Sequence, residues 1–272
     1  MSPVLTSEDL DHFLTRGYVV LRGAIPRETA DEWAAECYDR LAIDPNDRST
    51  WHTSRMHMGG TKSVKVREFC PVVWQATVEL LGGEDRVQEA YWSDHFIVNL
   101  SEGADQPWRP ASPECPGWHK DGDFFRHFLD SPEQGLLVFV AWTDVVHHGG
   151  PTYIAPDSIP VMAKYLADQP EGVLPNGFGF QDRIAECHDF EEATGGAGDV
   201  WLLHPFMLHA VSQNILRVPR IITNPPVSLR EPMQFNRPDP KDFSPVEQVV
   251  LNALGVDRLD FQPTMPRERI VP

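Results

Sequence analysis

Apolar residues near the start of the chain recur at helical spacing. Leu10, Phe13 and Leu14 fall at i, i+3 and i+4 behind Thr6 and Ser7, which can cap a helix, and Gly17 supplies a left-handed stop. The run Tyr18-Val19-Val20-Leu21-Arg22 then predicts a short strand. Pro26 opens a second helix in which Ala30, Trp33, Ala34, Cys37 and Leu41 share one face. Over 44–66 the pattern dissolves into polar residues around Gly59-Gly60, which predicts a long loop of the kind that often serves ligands.

Beyond a predicted helix at 72–81 the chain changes character. Short strand-like runs at 87–100, 136–146, 152–154, 199–203 and 220–223 are separated by Gly, Pro and Asp, which suits a sandwich or barrel better than βαβ units. Ser244-Pro245-Val246-Glu247 is a capping box with Pro at the first helical position, and Gly255 is a stop for that late helix. No internal repeat, low-complexity tract or composition break marks a second domain. The whole of 1–272 is therefore expected to form one mainly β domain.

Charge removes several classes of partner. The 272 residues carry 23 Lys plus Arg against 40 Asp plus Glu, a net charge of −17. That balance repels nucleic-acid phosphates and anionic lipid surfaces, so neither nucleic acid nor membrane is expected as a partner. No stretch reaches the roughly 18 consecutive apolar residues of a membrane span. The first nine residues show neither a basic nor an apolar signal region, and a cytoplasmic location is expected. Cys37, Cys70, Cys115 and Cys187 are far apart, form no C-x-x-C pair, and are expected to be reduced and mostly buried.

The chemistry concentrates in two stretches. In Pro116-Gly117-Trp118-His119-Lys120-Asp121-Gly122-Asp123, an extended backbone would point His119 and Asp121 the same way. A third ligand from a distant strand would complete a 2-His-1-carboxylate arrangement, which leaves adjacent positions open on Fe(II). The second stretch runs from the turn Gly198-Asp199 through an apolar strand to His204 and His209, either of which could serve, and on to Arg217 and Arg220. Arg220 lies 11 residues beyond His209 among β-branched neighbours, and a buried Arg needs an anion. The distal carboxylate of 2-oxoglutarate would suit it.

Taken together, these stretches resemble the phytanoyl-CoA dioxygenase family of Fe(II)- and 2-oxoglutarate-dependent oxygenases. The resemblance runs over most of the length. Besides the H-x-D pair and the late His with its trailing Arg, it rests on Gly17 to Gly23 after the first helix and on Ala141-Trp142-Thr143-Asp144 through Gly149-Gly150-Pro151-Thr152. It implies a double-stranded β-helix (jelly roll, cupin-like) core at 86–226 with flanking α-helices. Residues 1–85 would be its support and 227–272 a C-terminal extension. It further implies His119, Asp121 and His209 as iron ligands and catalytic residues, Arg220 as the 2-oxoglutarate anchor, and Trp142 beside the cosubstrate. Fe(II), 2-oxoglutarate and O2 follow as cofactors, and hydroxylation, desaturation or ring closure at an unactivated C–H bond as the activity. Related halogenases have Ala or Gly where this chain has Asp121, which argues against halogenation.

The chain departs from the family in two places. Many members have a small residue and then Ser just after the distal His; here Ala210-Val211-Ser212 makes Ser212 the candidate for that cosubstrate-assisting hydroxyl. The stretch between Asp121 and Trp142 is also several residues longer than in the name-giving members.

Other residues compete for these roles. His204 is expected to be packed or to lie behind the ligands, Arg217 to be a solvated charge, and His147 and His148 to be loop residues that cannot share one metal. His52 and His57 lie in the polar loop and either touch substrate or sit at the surface. Trp118, Phe124 and Phe125 either line the cavity or belong to the core. The charge of −17, with few Lys or Arg clusters near the pocket, favours a neutral or cationic small metabolite, sugar-like or of secondary metabolism, over an acyl-CoA. Two other functions would use the same residues. One is a metal-binding jelly roll without redox chemistry; the other is a His2Asp zinc hydrolase, which leaves the buried Arg unexplained.

Overall fold

The computed structural model describes residues 3–175 and 180–270. In chain order its elements are α1 (Ser7–Arg16), β1 (Tyr18–Leu21), α2 (Arg27–Leu41), β2 (Arg55–His57), β3 (Ser63–Lys65), α3 (Val66–Phe69), α4 (Pro71–Leu81), β4 (Tyr91–Ser93) and β5 (Ile97–Asn99). They continue with β6 (Leu137–Ala141), β7 (Thr152–Ala155), α5 (Ser158–Ala167), β8 (Glu191–Ala193), β9 (Val200–Leu203), β10 (Leu208–Val211), β11 (Arg220–Thr223) and α6 (Pro245–Leu254). Local chemistry sets several boundaries. Thr6 and Asp9 form a reciprocal capping box at the start of α1, Ser244 and Glu247 do the same for α6, and Gly17 and Gly255 close the two helices in the left-handed conformation.

The strands make two facing sheets and a separate two-stranded pair, β3-β4, with antiparallel pairing throughout. The larger has the order β1-β9-β6-β11-β5-β2, and the smaller β10-β7-β8, extended beyond β10 by the residues around His119. From β5 the chain passes to the His119 segment of the small sheet, then to β6 of the large sheet, β7 and β8 of the small, β9 of the large, β10 of the small and β11 of the large. That alternation winds two antiparallel strands together into a double-stranded β-helix, the expected jelly roll. Helices cover the outside; the Trp33 ring of α2 stacks on Trp142 at 4.3 Å, against the outer face of the large sheet. No helix among the described residues is long and apolar enough to cross a membrane. All four cysteines are free and buried.

Some expectations need correction. The 44–66 loop contains two strands, β2 and β3, each only 3 residues long, too short for their alternation to mark them, and paired with β5 and β4. The single run at 87–100 is broken into β4 and β5 by Asp94, whose carboxylate turns back to accept from the backbone amides of Thr61 and Lys62. Helix α5 was not anticipated. Pro160 sits in its first turn, where a missing N–H costs nothing. His204 and His209 do not close one strand: the first follows β9, and the second lies in β10 after the turn at Pro205-Phe206.

Candidate metal centre and adjoining cavity

Two imidazoles meet because their backbones pair. His119 donates its amide to the carbonyl of His209 at 3.0 Å and accepts the return bond at 3.1 Å. Residues opposed in this way project side chains to the same face. Asp121, two residues on, completes the group: the potential ligand atoms of His119, Asp121 and His209 all lie within 4.8 Å of one another.

Each side chain is aimed by a further contact. Nδ1 of His119 donates to the Gly117 carbonyl at 2.7 Å, and Nδ1 of His209 to the Met207 carbonyl at 3.2 Å. Both Nε2 atoms are thereby directed inward, 3.3 and 3.4 Å from the same Oδ1 of Asp121. Oδ2 of Asp121 accepts from the side-chain amide of Asn224 at 2.9 Å. Burial would raise the Asp121 pKa, but the two imidazoles outweigh it and hold the carboxyl well below its usual range. For His119 burial works downward, and the bond to Asp121 reverses it, so that this imidazole titrates above its ordinary value.

The segment carrying His119 and Asp121 is clamped from behind. Gly122 takes φ +116°, and a Cβ there would come within 2.5 Å of the Phe125 ring and 2.7 Å of His127. The buried Lys120 ammonium donates to the Asp121 carbonyl at 3.2 Å and to Gln134 Oε1 and His127 Nδ1 at 3.1 Å each. Desolvation lowers its pKa to about 7.

The triad opens on a cavity of about 470 Å³ between the two sheets. Strand pleating selects its lining. Arg220, Ile222 and Asn224 point inward from β11 and its extension, while Thr223 faces outward and accepts a hydrogen bond from Trp142. Arg220 is the anomaly. It is 2% exposed, its Nη2 donates to Thr152 Oγ1, its Nε has no partner, and no carboxylate among the described residues pairs with it. Burial, with the nearby Arg55 adding to it, pushes its pKa down to about 9.

His119, Asp121, His209 and Arg220 thus converge on one cavity. Two other candidates do not. Trp142 lies on the opposite face of the sheet from the cavity, because it alternates with Phe139 and Ala141, and it packs under α2. Ser212 is off the cavity wall, and its hydroxyl donates to the Pro151 carbonyl at 2.5 Å. His204 is fully buried against α6, and burial lowers its pKa to about 3. Arg217 pairs with Asp105 at 2.5 Å. His147 and His148 sit in a loop against Trp108, and His147 bonds Glu192. His52 is exposed; His57 and Phe124 line the cavity; Trp118 and Phe125 are core residues.

Several contributors escaped the sequence reading: Asn224, Thr152, Arg55, Lys120 and Gln134. Asn224 had a usable signal, since it lies four residues after Arg220 and therefore on the same face of one extended segment. The others depend on contacts between segments distant in sequence.

No family model matches the chain, and no curated protein matches it. Solved structures do resemble it. The non-heme alpha ketoglutarate dependent epimerase SnoN from nogalamycin biosynthesis is 18% identical, with 81% of this chain and 82% of that chain covered and a TM-score of 0.46. The non-heme alpha ketoglutarate dependent carbocyclase SnoK from the same biosynthesis is 16% identical over 99% of both chains, with a TM-score of 0.46. EvdO2 from Micromonospora carbonacea var. aurantiaca, complexed with 2-oxoglutarate, is 14% identical over 88% and 96% of the two chains, with a TM-score of 0.48.

Proposed function

We propose that this chain is a non-haem Fe(II)- and 2-oxoglutarate-dependent oxygenase that oxidises an unactivated C–H bond of a small metabolite. One observation carries the reading: a His-His-Asp cluster and a buried guanidinium without a carboxylate partner share the wall of one cavity. The donor set fits Fe(II), because two neutral imidazoles and one carboxylate leave room for further ligands. Arg220 fits a dicarboxylate, because an uncompensated buried cation is stabilised most by an anion brought to it. When bound, iron with 2-oxoglutarate and O2 supplies the oxidation of the C–H bond, coupled to decarboxylation of the keto acid to succinate and CO2.

The protein's own contribution is orientation. His119, Asp121 and His209 would hold the metal, and Asn224 keeps the second oxygen of Asp121 occupied so that only Oδ1 is offered. Arg220, steadied by Thr152, would hold the far carboxylate of the keto acid. Ile97, Phe139 and Ile222 are among the apolar residues of the wall, which limit water near the reacting carbon. A zinc hydrolase would use the same triad but gives Arg220 nothing to bind. The resemblance to phytanoyl-CoA dioxygenases, carried by the sequence motifs, agrees with the oxygenase reading.

The test is anaerobic. Addition of Fe(II) and then 2-oxoglutarate should give the weak visible charge-transfer absorption of a keto acid chelated to iron, and admission of O2 should release succinate. A chain that binds Fe(II) but not 2-oxoglutarate would refute the assignment.

A further inference from the structure

One wall of the cavity has no part in holding iron or keto acid. It is β2, the edge strand of the large sheet, which pairs only with β5. The register sets Arg55 opposite Asn99, itself opposite Arg220, and sets His57 opposite Ile97, itself opposite Ile222. Opposed residues project to one side of a sheet, so Arg55 and His57 prolong two of its inward-facing rows. Both line the cavity. Two strand spacings separate Arg55 from Arg220, about 10 Å between backbones.

Arg55 is a cation without an ionic partner. Among the described residues no carboxylate lies within ion-pair distance of it, and its side-chain partner is Nε2 of His57 at 3.0 Å. It is exposed, at the open side of the cavity. The other two cations of the wall are already committed, Lys120 to three acceptors and Arg220, on the reading above, to the cosubstrate. Of the three, Arg55 faces incoming ligand with all but one of its donors outside any hydrogen bond among the described residues.

We propose that Arg55, with His57 beside it, forms a subsite for a carboxylate carried by the substrate, which is then a small organic acid rather than a neutral or cationic metabolite. The proposal rests on the oxygenase reading and deepens it. The net charge of −17 pointed the other way, but a ligand inside a cavity responds to the charges that line it, and three cations there face only Asp121 and Asp123. A lone guanidinium with one imidazole matches the two oxygens of a carboxylate. A ligand with several phosphates would need more cations than this wall has.

The test uses the full chain loaded anaerobically with Fe(II) and 2-oxoglutarate, and a library of small carboxylic acids, each paired with its primary amide. Binding is read by calorimetry and, after O2 is admitted, turnover by succinate release. Acids should bind at least about tenfold tighter than their amides. Arg55→Gln should weaken the acids by about tenfold or more and shift the 2-oxoglutarate Kd less than about threefold, with Arg55→Lys in between. If Arg55→Gln does not fold, the comparison of acid with amide in the parent chain decides. Three results overturn the proposal: no acid binds; acids and amides bind alike; or Arg55→Gln weakens 2-oxoglutarate as much as the acids, which would assign Arg55 to the cosubstrate's own carboxylate. Failure of the oxygenase reading is distinct, since the parent chain would then not bind 2-oxoglutarate at all.

Discussion

Replacing Arg220 by Met should move stability and binding in opposite directions. In the ligand-free protein the guanidinium is buried with one neutral hydrogen-bond partner and an unpaired Nε. Burial brings its pKa down to about 9, well below an ordinary guanidinium, so folding the charged form costs about 5 kcal/mol more than folding the neutral one, an order-of-magnitude figure. The sign is fixed by linkage. A base whose folded pKa is depressed carries this cost in full below about pH 9, and the cost fades only as the pH climbs toward the unfolded value. Methionine fills similar space without charge, so Arg220→Met should leave the ligand-free Tm unchanged or raise it by several degrees. The same change deprives the distal carboxylate of its partner, a loss of roughly 2–5 kcal/mol, or about 30-fold to several thousandfold in the Kd of 2-oxoglutarate. Thermal unfolding with and without Fe(II) and 2-oxoglutarate reads both effects. A variant that melts several degrees lower without ligand, yet binds 2-oxoglutarate as the parent does, would show that Arg220 is a structural residue and refute the argument.

Three further outcomes are expected. Asn224→Ala frees Oδ2 of Asp121 and should weaken Fe(II) binding by about 10- to 100-fold while the melting curve changes little, checked by anaerobic metal titration. Asp94→Asn should lose about 2 kcal/mol in urea unfolding at pH 7. Burial opposes ionisation of Asp94, but the Thr61 and Lys62 amides outweigh it and bring the pKa to about 2, so this stabilisation is present above about pH 4 and the gap to the variant should close as the pH falls toward 2. Gly198→Ala should destabilise by about 3 kcal/mol or more in the same assay, because φ is +92° and the new Cβ would lie 2.1 Å from the Ile25 carbonyl oxygen.

The features legible in the sequence were those written in local spacing. Capping boxes and stop glycines placed α1 and α6, and the i, i+2 relation of His119 and Asp121 brought one imidazole and one carboxylate together before any fold was considered. Choosing His209 over His204 needed the resemblance to a known family, because the backbone bridge from His119 to His209 spans ninety residues of sequence, whereas Arg220 already stood out as a cation among β-branched neighbours. Trp142 was carried over from that resemblance alone, and strand parity turns it away from the cavity; Phe139, three residues earlier and of opposite parity, is the aromatic of β6 that meets it. Strands β2 and β3 were unreadable for another reason. Each alternates over only three or four residues, too briefly to stand out in a polar stretch, and partner strands 26 to 44 residues away supply the hydrogen bonds that make them strands.

The position of β2 has a consequence for how the protein can diversify. The metal end of the chamber is locked on every side, by paired backbones, by Asn224 and by the Lys120 clamp, so changes there propagate. The outer strip of the same chamber hangs from a single neighbour and faces water on its other edge. Residues 55–57 can therefore be exchanged with little disturbance to the interior, which makes this strip the natural place for selection, or an engineer, to alter which molecule is admitted while leaving the oxidising centre as it stands.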